Sequence, residues 1–300
     1  PGTFDFSLPD RYVQFGVTNK MFIVGHNLIW HSQTPDWVFE GTDGKPLDRD
    51  ALLARMREHI FTVVGRYKGK IAGWDVVNEA LSDNGQLRQS PWQKIIGDDY
   101  VVKAYQFAHE ADPGAQLYYN DYGLESSSKQ KGAVALIQRL QAAGVKLTGV
   151  GLQGHYRMDH PTTEQVDKAI STFSALGIKV MITELDINFL PSAMRVDTSD
   201  VSYQEAARPE LNPYTNGLPD SMQQQLAERY ASLFETFVKH RSEISRVTFW
   251  GLTDDDSWLN DYPIKGRTAY PLLFGRDLRP KPAFNAVLRV VTGDGLVVKR

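Results

Sequence analysis

The sequence has no cysteine, which excludes a disulfide scaffold, a thiol nucleophile and any Cys-ligated zinc or iron–sulfur site. No apolar run approaches the roughly 20 residues that a bilayer-spanning helix needs. The opening residues Pro1–Ser7 carry neither the basic start nor the apolar stretch of a signal peptide. An excess of charge is missing too. There are 33 basic and 36 acidic side chains, a net −3, and the pI is about 6.2. That balance provides no electrostatic footprint for nucleic acid or an anionic membrane. Linkers rich in Pro, Gly or Ser and low-complexity tracts are absent, so residues 1–300 read as a single domain. What is abundant is aromatic: 14 Phe, 13 Tyr and 6 Trp, and the tryptophans carry part of the argument below.

Two periodicities alternate along the chain. Short β-rich runs are predicted at Met21–Gly25, Ile71–Asn78, Gln116–Asn120, Thr148–Gly154, Ile178–Glu184 and Arg246–Leu252. Helical spacing fills Leu8–Asn19, Asp48–Tyr67, Tyr100–Ala111, Ser127–Ala143, Thr163–Leu176 and Met222–Phe237, with Gly144 and Gly177 as helix stops. Strands such as Lys179-Val-Met-Ile-Thr are apolar throughout, as in a parallel sheet covered on both faces. This alternation leaves an open doubly wound sheet or a (β/α) barrel. No glycine-rich phosphate turn follows the first strand, which removes the main sign of a nucleotide-binding sheet. In a barrel, polar groups at the C-terminal strand ends build the site. Here those ends read His26, Asn78-Glu79, Asn120-Asp121-Tyr122, Gln153-Gly-His155, Glu184-Leu-Asp186 and Trp250. The fold class is therefore α/β of the (β/α)8 TIM-barrel type, with about six of the eight β/α units in this chain. The units run over about 7–291, with a tail at 292–300. The polar, proline-containing stretch Asn188–Pro219 reads as a long loop.

Glu79 and Glu184 each follow a buried apolar strand, and two carboxyls on one rim suit either metal binding or glycosidic cleavage. Cleavage needs one protonated acid and one ionised nucleophile or base, so their surroundings must differ. Trp30, Trp250 and Trp258 stand at or just beyond strand ends, where an indole face can stack on a pyranose ring. Trp74 lies inside a strand and reads as core; Trp37 and Trp92 fit either role. His26, His31 and His155 are the rival signal, for a metal-dependent hydrolase. No HxH or HExxH pair occurs, so the expected metal is none. His59, His109, His160 and His240 read as surface residues.

Six motifs carry a resemblance: Gly25-His-Asn-Leu-Ile-Trp-His-Ser-Gln, Trp74-Asp-Val-Val-Asn-Glu, Tyr119-Asn-Asp-Tyr, Gly151-Leu-Gln-Gly-His, Ile182-Thr-Glu-Leu-Asp and Trp250-Gly-Leu-Thr-Asp-Asp-Asp-Ser-Trp. In this order, over about Pro1 to Val290, the chain closely resembles bacterial endo-β-1,4-xylanases of glycoside hydrolase family 10. The resemblance implies a retaining hydrolase of xylan or xylo-oligosaccharides that needs no cofactor. Glu79 would be the acid/base and Glu184 the nucleophile, with carboxyls ~5–5.5 Å apart. His155 would bond Glu184, Asn78 would bind the 2-hydroxyl, and Asp75 and Asp186 would position the loops. His26, Trp30 and Gln153 would line the cleavage subsite. Trp250 and Trp258 would wall the cleavage and glycone side, Tyr122 the aglycone side, and Gln33 would meet the next glycone sugar. The family is generally secreted or periplasmic, which is the expected setting.

The family's first two strands, the second with a Glu-Asn-x-Met-Lys-like motif for glycone binding, have no counterpart here. The six predicted strands correspond to the family's third to eighth. An open edge beside the first strand predicts either a homo-oligomer, such as a dimer, or a poorly soluble monomer. The rival reading is a catalytically weak or inactive carbohydrate-binding barrel. Beyond Val287 the chain reads either as a hairpin across Gly293-Asp294-Gly295 or as a helix with a tail.

Overall fold

The computed structural model describes residues 2–191 and 204–293. Its contacts divide the chain into two compact units, Pro1–Gly151 and Leu152–Arg300. The first unit runs α1 (Ser7–Thr18), β1 (Val24–Ile29), α2 (Arg49–Arg66), β2 (Gly73–Asn78), α3 (Pro91–Ile96), α4 (Tyr100–Ala111), β3 (Gln116–Asp121) and α5 (Ser127–Ala142). It ends in β4 (Gly149–Leu152), whose last residue begins the second unit. The second unit continues with β5 (His155–Arg157), α6 (Thr163–Ser174), β6 (Lys179–Asn188), α7 (Asp220–Lys239), β7 (Ile244–Phe249) and α8 (Pro282–Thr292).

In the first unit β1 pairs in parallel with β2, and β2 with β3. The register is set by glycine against aromatic. A Cβ on Gly25 would lie 2.0 Å from the Trp74 ring, and one on Gly73 would lie 2.5 Å from the Tyr118 ring. Each ring thus lies over a bare backbone on the neighbouring strand, and Trp74 is core as its position in the strand predicts. This pairing also corrects the predicted first strand. It spans Val24–Ile29 rather than Met21–Gly25, because Val24 is the first residue with a β2 partner, while Met21 and Phe22 stay exposed. His26 accordingly lies within the strand.

The helices start where local chemistry caps them. Asp48 accepts from the Ala51 N–H at 2.8 Å at the start of α2, and Ser90 precedes Pro91 at the start of α3. Thr162 and Gln165 form a capping box on α6. The inward stripe of α2 is Leu52, Met56, Ile60 and Val64, four-residue steps that bury one face. Gly144 and Gly177 take positive φ just past α5 and α6, as their placement predicts. His59 departs from its surface reading: it is half-buried in α2 against the Leu28 backbone, and burial pulls its pKa down.

In the second unit β6 pairs in parallel with both β5 and β7. The short β5 was not expected. Gly154, at φ +86, breaks the strand that comes before it, and pairing of His155 with Asp186 through Arg157 with Asn188 extends β6 to Asn188. The predicted loop Asn188–Pro219 therefore begins inside a strand, and it holds a short 3₁₀ turn at Pro209–Leu211. His240 is another correction: it is largely covered, with Nε2 2.7 Å from Asp167. α8 ends at Gly293 in the left-handed conformation, and the expected hairpin across Gly293–Gly295 lies outside the described residues.

The loop after β2 is fastened to α5 by two glycines. Residues 80–88 fold back through the Leu81–Leu87 bridge, with the Ser82 N–H on Gln86 O at 2.9 Å and the Arg88 N–H on Ala80 O at 2.8 Å. At the tip a Cβ on Gly85 would lie 2.3 Å from Ser128 O, and one on Gly132 would lie 2.0 Å from Gly85 O. Both obstacles are backbone. Gly132→Ala improves helix propensity by ~1 kcal/mol, yet the loop must then lift from the helix, at a cost of ~1–3 kcal/mol. Urea unfolding should therefore show Gly132→Ala to be less stable than wild type, the opposite sign from propensity alone.

Candidate active site

In the first unit the site residues gather at the end of β2. Glu79 follows the wholly buried strand and is itself buried, with φ at +55. That left-handed backbone costs a side-chain-bearing residue about 1 kcal/mol. It is held by the Glu79 N–H donating to Asn120 O at 2.9 Å and by Arg88 Nε donating to Glu79 O at 3.3 Å. Trp30 Nε1 donates to Glu79 Oε2 at 2.9 Å. The Trp30 carbonyl in turn accepts from Trp92 Nε1 at 2.9 Å and Thr34 Oγ1 at 2.8 Å. Trp92 is buried edge-on against Phe39 and supports Trp30, whereas Trp37 is 48% exposed.

Asn78 is buried beside Glu79, its amide 3.0 Å from that of Asn120. His26 Nδ1 lies 3.0 Å from Asp75 Oδ2, so Asp75 holds the His26 ring. Tyr122, half-buried after β3, receives a hydrogen bond on its hydroxyl from Arg88 Nη2 at 3.1 Å. Lys129 Nζ lies 3.2 Å from the centre of the Tyr122 ring and 2.9 Å from Asp121 Oδ1. Gln33 is exposed in the loop after β1, at φ +53.

In the second unit the groups gather at β5 and β6. His155 Nε2 lies 3.0 Å from Glu184 Oε2, and its Nδ1 lies 3.0 Å from Asp186 Oδ1. Burial pulls the imidazole down, but the charge of Asp186 and the hydrogen bonds to both carboxyls outweigh it, and its pKa is pushed up to about 10. His155 is thus an imidazolium at neutral pH and donates through both nitrogens. Trp258 Nε1 donates to the other oxygen of Asp186 at 2.7 Å and its ring stacks on Tyr262. Trp250 is 36% exposed with its ring edge towards His155. Gln153 is buried, and its carbonyl accepts the Glu184 N–H at 2.6 Å.

Sequence reasoning missed the cations that support these groups. Neither Arg88 nor Lys129 falls in a motif that the sequence singles out, yet Lys129 is 1% exposed. Lys281 was also missed. Its Nζ donates to both oxygens of buried Asp254, at 3.1 and 2.9 Å, and to Tyr270 O at 2.7 Å. That pair anchors the loop between Trp250 and Trp258. Nothing in a single sequence separates a buried lysine from a solvated one; the nearest sign was the mid-helix Gly132 one turn beyond Lys129. Among the described residues no group of three or more His, Asp or Glu is arranged to hold a metal ion, and no helix is long and apolar enough to cross a membrane.

Comparison with known proteins places this geometry. The family model for glycosyl hydrolase family 10 matches residues 1–290. Endo-1,4-beta-xylanase A of Xylanibacter ruminicola is 44% identical over 287 residues, 96% of this chain and 78% of that protein. A GH10 endoxylanase retrieved from a sugarcane soil metagenome superposes with TM-score 0.93 at 46% identity, covering 96% of this chain and 84% of its own. An intracellular xylanase of Thermoanaerobacterium saccharolyticum, solved with xylotriose, gives TM-score 0.81 at 36% identity, covering 95% and 81%. The chain belongs to glycosyl hydrolase family 10. It is a glycoside hydrolase, and its fold is an incomplete barrel of the (β/α)8 type.

The raised pKa of His155 has a consequence for stability. A group raised from 6.5 to about 10 on folding stabilises fully below its unfolded value and progressively less up to its folded one. Urea unfolding across pH 6 to 10 should show stability falling as pH rises through that window. In Asp186→Asn the main raising charge is gone, so the fall should still begin near the unfolded value but be smaller and finish at lower pH.

Proposed function

We propose that the chain is a retaining endo-β-1,4-xylanase that hydrolyses xylan or xylo-oligosaccharides by double displacement, working as a single catalytic domain without a cofactor. Glu79 protonates the leaving oxygen, Glu184 attacks the anomeric carbon, and Glu79 then activates the water that releases the glycosyl-enzyme. The observation that carries this reading is the difference between the two carboxyl environments. Glu184 faces the charged His155, which favours an ionised nucleophile, while Glu79 faces the neutral Trp30 N–H. Xylan as substrate is supported by the relatives, which are xylanases by name. The rings of Tyr122, Trp250 and Trp258 supply stacking surfaces for pyranose units, with Asn78, His26, Gln33 and Gln153 to bind hydroxyls.

Reducing-sugar release from xylan by Glu79→Ala and Glu184→Ala tests the assignment. Both variants should lose activity. Azide should restore turnover of an activated aryl xyloside by Glu184→Ala and yield the α-glycosyl azide. Full activity in Glu184→Ala would overturn the mechanism.

Self-association is the second part of the proposal. The outer face of α1 exposes Leu8, Tyr12 and Phe15, and Met21 and Phe22 follow it. Patches of this kind mark contact surfaces, and among the described residues β1 has one strand partner, β2. Sedimentation should detect a homo-oligomer that Phe15→Glu weakens. A wild type monomeric at high concentration would exclude it.

A further inference from the structure

Arg88 belongs to no strand and to no motif that marks the family resemblance, yet it joins three parts of the site. Nε donates to the Glu79 carbonyl at 3.3 Å, and Nη2 donates to the Leu81 carbonyl at 3.0 Å and to the Tyr122 hydroxyl at 3.1 Å. Its own backbone N–H closes the 80–88 loop on Ala80. The guanidinium plane fixes the directions of these bonds together, which a lysine ammonium cannot do.

The Tyr122 end is braced independently. Lys129 covers one face of the ring, and Asp121 Oδ1 accepts the Tyr122 backbone N–H at 2.9 Å. Asp121 also takes the Tyr119 hydroxyl at 2.5 Å and the Lys129 ammonium. The Glu79 end is strained: its φ of +55 persists only where neighbouring groups hold it. The loop between the two ends is locked to α5, and α5 also carries Lys129, one turn before Gly132.

We propose that Arg88 is a positioning residue that ties the ring on the aglycone side to the backbone of the general acid. Holding the leaving sugar and aiming the proton donor at its oxygen then depend on one guanidinium. This rests on the reading of Glu79 as acid and Tyr122 as sugar platform. The consequence is selective. Substrates whose leaving group is a sugar need both the platform and the proton. An activated aryl glycoside, which leaves without protonation, needs neither.

The test compares kcat/KM for xylotetraose and for 2,4-dinitrophenyl β-xylobioside in wild type, Arg88→Lys, Tyr122→Phe and Glu79→Ala, each checked for folding by thermal melting. For Arg88→Lys we expect xylotetraose to lose about 10- to 100-fold. The aryl glycoside should lose at least about tenfold less. Tyr122→Phe removes the acceptor and keeps the ring, so it should raise KM for xylotetraose with little change in kcat, while Arg88→Lys changes both. Equal losses on the two substrates, or no loss on either, would overturn the proposal and leave Arg88 as a fold residue. Glu79→Ala separates the two failures. If it spares the aryl glycoside while Arg88→Lys shows no selectivity, only the role of Arg88 is lost; if it shows none either, the acid assignment itself is wrong.

Discussion

A carboxylate taken out of water must find donors, and the polar layer at the strand ends of this chain is organised by that demand. Glu79, Asp121, Glu184 and Asp186 are all at most 7% exposed. Removing the donor from such a group leaves its full desolvation cost uncompensated. Each therefore has a partner whose own position is fixed. Trp30 serves Glu79 and is held by Trp92; His155 serves both Glu184 and Asp186; Lys129 and Tyr119 serve Asp121. These partners differ in character: a neutral indole N–H at Glu79, an imidazole at Glu184 and Asp186, an ammonium and a phenol at Asp121. Asp254 obeys the same rule through Lys281, and there the result is an anchored loop.

The second requirement is close approach of backbone to backbone or to a ring. Glycine meets it wherever a polar group has to be placed accurately. Gly25 and Gly73 admit Trp74 and Tyr118, which sets the register that carries Asp75 and Asn78 to their places. Gly85 and Gly132 bring the loop after Glu79 onto α5. Gly154 turns the chain between β4 and β5 with room for Ile182, so that His155 enters a new pairing with Asp186. Packing density thus fixes the hydrogen-bond geometry, because a rigid interior allows few other arrangements.

Much of this was legible in the sequence. Strands such as Gln116–Asp121 and Lys179–Ile182 announce themselves by unbroken apolar or aromatic runs, and α2 by its four-residue stripe. Membership in the family was legible from six motifs in order. The offset of β1 was not, because Met21, Phe22 and Ile23 are as apolar as the strand that follows and only pairing with β2 decides which residues enter the sheet. Nor was β5, a three-residue strand whose existence depends on the Gly154 turn. Buried cations are the hardest class. Periodicity marks which face of α5 is covered, but only the fold reveals that Asp121 waits behind Lys129. His59 and His240 misled for the same reason, since polar type suggests solvent and burial depends on the neighbouring element.

The doubly bonded His155 also shapes what the second unit can attract. Two carboxylates around one imidazolium leave a surplus of one negative charge, enclosed where water screens it poorly. A further anion brought there is repelled. The arrangement that keeps a carboxylate in place thereby also sets the sign of charge that this half of the molecule can accommodate.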